Sequence, residues 1–99
     1  MPPGLLGGVS SALSVTAPAV IKAAPGICVS VVIVVVGSGG TLTLNDCTAT
    51  GVAAAANQFF NIAYTALAAG MTLVMNWPCL SGIVVSAVPT SAQIVIAYS

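Results

Sequence analysis

Short apolar runs separated by Gly, Pro, Asn and Ser recur along the chain at intervals of eight to twelve residues, the spacing of an all-β sandwich or barrel. The pattern predicts strands over 11–16, 19–23, 27–36, 41–45, 58–64, 71–77, 82–87 and 92–98. Thr41-Leu42-Thr43-Leu44 alternates strictly, with leucines on one face and hydroxyls on the other, and 11–16 alternates less strictly. In 27–36, eight of the ten residues are β-branched, a composition that fits a strand buried on both faces and is too short for a membrane-spanning helix. Over 93–98, Ile94, Ile96 and Tyr98 share one face while Val95 and Ala97 share the other. Strands apolar on both faces need cover on both. In a chain this small the second cover is most simply another copy.

These runs predict one antiparallel β-sandwich or jelly-roll-like domain of about eight short strands over residues 10–99. Before it, Pro2-Pro3-Gly4 and Gly7-Gly8 read as a flexible arm over residues 1–9. Its Leu5, Leu6 and Val9 are candidate contacts to a neighbour.

Composition narrows the function. The chain has 99 residues, 59% hydrophobic and 2% charged, and its two charges are Lys22 and Asp46. Ordinary soluble domains are about 25% charged. There is no His, Glu or Arg, so the chain lacks a carboxylate pair, an imidazole and a bidentate anion clamp, which argues against enzymatic chemistry and against His-ligated zinc. One lysine does not support nucleic-acid binding by counterion release. A structural role in an assembly or a membrane is left.

The membrane reading has two candidate segments. The first, 27–36, is bounded by Pro25-Gly26 and by Gly37-Ser38-Gly39-Gly40. The second, 51–75, is uncharged and includes Ala53-Ala54-Ala55-Ala56, helical on propensity alone. Asn57, Gln58, Asn61, Thr65 and Gly70 dilute it with groups that lipid would not satisfy. Neither segment is flanked by the Lys or Arg that sets orientation, and 1–9 lacks the basic start of a secretory signal. A small membrane protein is the distant alternative.

Few residues suggest a site. Gly37-Ser38-Gly39-Gly40 follows a strand, but Leu42 stands where a dinucleotide loop needs its third glycine, so a hairpin turn is expected. Cys28, Cys47 and Cys79 lack metal-ligand spacing, and buried free thiols are the preferred reading, with pairing of Cys47 and Cys79 left open. Asp46 is expected to turn or cap its own neighbouring backbone, and Lys22 is its candidate ion-pair partner, within or between copies. Trp77 reads either as an interface anchor or as a plug of the core, the core being preferred. Trp77, Val95 and Tyr98 join Leu5, Leu6 and Val9 as candidate interface residues. No cofactor or metal is expected.

One resemblance extends over nearly the whole chain from Ser10. Ser14-Val15-Thr16, Val20-Ile21-Lys22-Ala23-Ala24-Pro25-Gly26, Asn45-Asp46-Cys47, Ala53 to Gln58, Trp77-Pro78-Cys79, Gly82-Ile83-Val84-Val85 and Ala97-Tyr98-Ser99, in this order, resemble small β-rich virion proteins of tailed bacteriophages. The resemblance implies a capsid decoration, or cement, protein. It would be homotrimeric, bound to the major capsid protein or other virion proteins, placed on the capsid surface and made in the host bacterial cytoplasm. A head-fibre or tail component is the near alternative. Such proteins commonly carry Arg in the stretch matching 27–36; this chain has none, which implies a drier, more deeply buried strand.

Overall fold

A computed structural model of the protein describes residues 10–99; the arm expected over 1–9, with Leu5, Leu6 and Val9, lies outside the described residues. The chain is all-β. Its strands are β1 (Ser10–Val15), β2 (Ala19–Lys22), β3 (Gly26–Val35), β4 (Thr41–Asn45), β5 (Gln58–Ala63), β6 (Thr72–Cys79), β7 (Ile83–Ala87) and β8 (Gln93–Tyr98). Each falls on one of the predicted apolar runs. The largest boundary difference is at β6, which continues through Pro78 to Cys79. Proline removes a ladder donor, and β6 tolerates it because it is an edge strand.

Two four-stranded antiparallel sheets form, in the orders β1-β8-β3-β6 and β2-β7-β4-β5. The first strand pairs with the eighth, the second with the seventh, the third with the sixth and the fourth with the fifth. This is the pairing of one long hairpin folded over into two layers. Only β4 and β5 are consecutive in sequence and adjacent in a sheet; every other connection crosses between layers.

That topology corrects the reading of Gly37-Ser38-Gly39-Gly40. The segment carries β3 of one sheet into β4 of the other, so it is an inter-sheet crossing and not a hairpin turn. The glycine content was informative all the same, since Gly37 and Gly40 have φ of +88° and +87°, where a Cβ is strained. Ser38 N–H donates to Thr90 O (2.9 Å) and Thr90 N–H to Gly39 O (2.8 Å), which ties this crossing to the one between β7 and β8.

The core lies between the layers. Val31, Ile33, Leu42, Leu44, Ile83, Val85, Ile94 and Ile96 are fully buried there, with Cys28 beside them. They are the inward positions of their strands, as the period-two pattern requires. The outward positions of the two sheets differ. In the second sheet, Val84 and its register partner Asn45 are buried, and Thr43 is 8% exposed. Thr43 therefore does not lie on a solvated face, as its alternation with leucines suggested; its Oγ1 donates to Asn61 Oδ1 at 3.1 Å.

The loop between β4 and β5 supplies the cover. It makes single 3-10 turns at Thr50–Val52 and Ala55–Asn57, and the first of these packs on β7. Ala53-Ala54-Ala55-Ala56, helical by propensity, builds no α-helix because the loop is pinned residue by residue. Asn45 Nδ2 donates to Ala54 O (3.0 Å) and Asn57 Oδ1 (2.7 Å), Ser86 Oγ donates to Asn45 Oδ1 (2.6 Å), and Asn57 Nδ2 donates to Val52 O (3.0 Å). A buried amide with its oxygen and nitrogen both satisfied holds a loop as firmly as apolar contact does. Among the described residues no helix is long and apolar enough to cross a membrane.

Candidate interaction surfaces

The first sheet has no such loop. Its register puts Ser11, Ala97, Ser30 and Val74 in one transverse row of the outward face, and Val95, Val32 and Thr72 in the next. Leu13 is 71% exposed and Val74 72%, and Ile27, Val34 and Val35 are exposed as well. Val95 and Val32 on the central strands are half-buried. Strand β1 turns Leu13 outward through an irregularity between Ala12 and Val15, with Ser14 at φ +56°; such bulges re-aim side chains at sheet edges. The chain's only charges lie elsewhere, Lys22 on β2 and Asp46 after β4. An antiparallel sheet facing water normally alternates polar residues outward. This one presents valine and leucine, interspersed with the small polar Ser11, Ser30 and Thr72 and with no charge.

A second apolar surface joins the layers where their edge strands β5 and β6 meet. Phe59 of β5 stacks on Trp77 of β6, with centroids 6.0 Å apart and planes within 6°. Phe59, Phe60, Leu73, Val74, Met75 and Trp77 line a groove of about 250 Å³. Trp77 is 48% exposed, which corrects the core assignment. The ladder between β3 and β6 is irregular beside it, and Asn76 has φ +47°, so the strand twists and Trp77 lands on the edge. Tyr98, an expected interface residue, packs instead against the core as a partly buried ring, because it shares the inward face with Ile94 and Ile96. Val95 is on the outward face as expected.

The charged residues gather strands at one end of the sandwich without pairing. Asp46 accepts hydrogen bonds from Leu80 N (2.9 Å), Ser81 N (2.8 Å) and Gly82 N (3.2 Å), fastening the crossing between β6 and β7. The expected role as a backbone cap holds in kind, but the amides are 34 to 36 residues away, not neighbouring. Partial burial pushes the Asp46 carboxyl up and these three amides pull it down; the amides win, and it titrates below its ordinary value. Lys22 Nζ donates to Ser99 O at 2.9 Å. Among the described residues the two charges make no ion pair, since each is engaged with backbone. Gly82 sits where these elements converge: a Cβ there would lie 2.6 Å from Lys22 O and closer still to Cys47 O.

All three cysteines are buried and free, so Cys47 and Cys79 are not bridged. The Cys28 thiol donates to Met75 Sδ at 3.9 Å. Burial pushes the Cys28 thiol up to about 11. Burial also pushes Cys79 up to about 12, with nearby Asp46 and Cys28 adding to the rise and a hydrogen bond with the Cys28 backbone opposing it. Thiols held protonated are poor nucleophiles and poor metal ligands.

Sequence reading did not find Phe59, Leu13 or Val74. The Phe59-Phe60 doublet was the available signal, because consecutive strand residues turn to opposite sides, and both rings are left only partly buried at the groove. No known protein family matches the chain, and it has no match among curated proteins or solved structures.

Proposed function

We propose that this protein is a structural subunit that works by self-association, burying the outward face of β1-β8-β3-β6 against further copies. The observation that carries the reading is that face itself, with Leu13 and Val74 more than two-thirds exposed and no charge on it. Contiguous exposed apolar surface marks interaction sites in soluble proteins, and obligate interfaces resemble a domain core cut in half, with charge depleted. The rest of the molecule agrees with mechanical work: the Cys28 and Cys79 thiols are held protonated by burial, and the one carboxylate side chain is committed to three backbone amides.

The setting we propose is a phage particle, with the protein as a decoration subunit, trimeric, on the capsid surface. The wound-hairpin strand pairing supports a jelly-roll reading, an architecture used by viral capsid domains and also by lectins and cupins. Fold alone does not assign function, so the virion setting rests on the sequence resemblance together with this surface.

Sedimentation velocity tests the association. The wild-type chain sediments as an oligomer. Val95→Asp, which puts a charge at the middle of the outward face, gives a folded monomer, whereas the exposed control Thr65→Ser leaves the oligomer intact. A monomeric wild-type chain, or an oligomeric Val95→Asp, defeats the reading. Copy number in purified particles tests the setting: hundreds per particle mean shell, tens or fewer mean fibre or tail, and none removes the virion assignment.

A further inference from the structure

The three cysteines lack metal-ligand spacing along the chain, yet the fold gathers two of them with a methionine. Cys28 on β3 stands opposite Trp77 in the register of β6, so Met75 and Cys79 are its diagonal neighbours, two residues to either side of Trp77. The Cys28 thiol meets Met75 Sδ at 3.9 Å, and the Cys79 thiol shares a hydrogen bond with the Cys28 backbone. Cys28 and Cys79 are buried and unbridged. Met75 is only partly buried and also lines the groove beside Trp77, so one of the three sulfurs borders a route from solvent. Cys47 follows β4 in the other layer, and its thiol donates to Ala49 O at 3.4 Å.

Two thiols and a thioether are a selective donor set. Soft sulfur ligands of this kind favour a soft ion such as copper(I). Zinc is a poor guest, because it is held by four donors drawn from cysteine, histidine and carboxylate, and among the described residues no three such side chains come together. The spacing agrees. With each sulfur about 2.3 Å from the ion, two ligands of a trigonal planar site lie about 4 Å apart, against the 3.9 Å between Cys28 Sγ and Met75 Sδ. Burial holds both thiols protonated, so an ion must displace a proton to bind. That cost turns away weakly held ions and selects one whose bond to sulfur is strong.

We propose that Cys28, Met75 and Cys79 form a binding site for copper(I) on the inner side of the β3–β6 pair, entered past Trp77 through the groove. On binding, the S–H bond of a cysteine gives way to a sulfur–copper bond, the proton leaves to water, and no electron is transferred. Sequence spacing does not show the site, because residue 28 meets residues 75 and 79 only through strand pairing. The site uses none of the outward face, so it does not depend on the assembly reading.

Anaerobic titration with copper(I), supplied as its coloured bicinchoninate complex, tests the site. The wild-type chain takes one copper(I) and bleaches the complex in proportion, and Cys47→Ala does the same. Met75→Leu, a near-isosteric change that the core tolerates, weakens binding by at least about tenfold, the scale on which even the outer-shell partners of a metal count. Cys79→Ala abolishes transfer with the circular-dichroism spectrum unchanged. Full affinity in Met75→Leu, loss of binding in Cys47→Ala, or no transfer to the wild-type chain overturns the proposal. Val95→Asp binds copper(I) as the wild type does, whatever its oligomeric state; loss of binding in that variant would put the ion between copies and also overturns the site.

Discussion

The outward faces of the two sheets begin from similar material and end differently. Both sheets place a valine outward on a central strand, Val84 on β7 in one and Val95 on β8 in the other. Val84 is fully buried, while Val95 is only half-buried. The difference comes from the connection between β4 and β5, the one place where consecutive strands stay in the same sheet, and so the one long loop free to fold back over its own layer. Asn45 and Asn57 pin that loop with five side-chain hydrogen bonds counting the one from Ser86. No described segment does the same for the first sheet. An apolar strand face can be satisfied from within the chain by a polar clasp or from outside by another surface, and this molecule contains one instance of the first and, on our reading, one of the second.

Exchange of each outward valine for aspartate is the largest test of that contrast. Val84→Asp buries an unpaired charge under the loop and costs more than about 4 kcal/mol, enough to unfold a domain of this size. Val95→Asp costs no more than about 1.5 kcal/mol in the monomer, since its carboxylate turns to water. Urea denaturation followed by circular dichroism measures both, and equal losses would erase the distinction between the faces.

The clasp itself comes next. Asn45→Ala leaves the Ser86 hydroxyl and the loop carbonyl of Ala54 without their partner and costs about 2 to 3 kcal/mol. Hydrogen exchange should then show residues 50–57 opening before the strands. If exchange in that loop is unchanged, the amides are not what holds it.

Acid provides a smaller and graded effect. The Asp46 carboxyl titrates below its ordinary value of 3.8, so the folded state favours the ionised form. Its contribution is fully present above the unfolded-state value and is lost as pH falls through the lower folded-state value. Stability is therefore flat in this term at neutral pH and declines in acid below about pH 4. Asp46→Asn removes the decline and lowers neutral-pH stability on the order of 1 kcal/mol, a figure kept small by solvent screening of a partly exposed group. Denaturation midpoints at several pH values read both.

The smallest effect on folding belongs to the uncovered face. Leu13→Ser and Val74→Ser shift monomer stability by within about 0.5 kcal/mol, as surface changes do. Both weaken self-association, and a dilution series in sedimentation velocity measures it. A fall in stability comparable with that of Asn45→Ala would mean these side chains are packed within the chain.

The strands were readable because each carries its own period-two or β-branched signal, from Thr41-Leu42-Thr43-Leu44 to Ile94-Val95-Ile96. A strand's face is a local property. Partners were not readable. Gly37 to Gly40 looked like a hairpin because glycine turn chemistry is the same whether the chain returns beside the previous strand or crosses to the other layer. Asp46 was recognisable as a residue that takes backbone amides, but the amides of residues 80–82 come near only once β6 has crossed to β7. Thr43 alternated as a solvent-facing residue and is buried on a strand flanked on both sides, with its hydroxyl bonded to Asn61 of β5. For Trp77, size favoured the core, and a bulge at Asn76 on an edge strand decided otherwise.

Sequence alone determined that this chain is all-β and that its core is built from Val, Ile and Leu at inward strand positions. Those properties follow from periodicity and residue type, which need no long-range information. The tertiary structure decided which apolar outward face is covered and which is bare, that Lys22 and Asp46 bind backbone instead of each other, and that an aromatic stack joins the two sheet edges. Those outcomes depend on which strands become neighbours, and strand pairing between residues as distant as Ser10 and Tyr98 is set by how the whole chain closes its core.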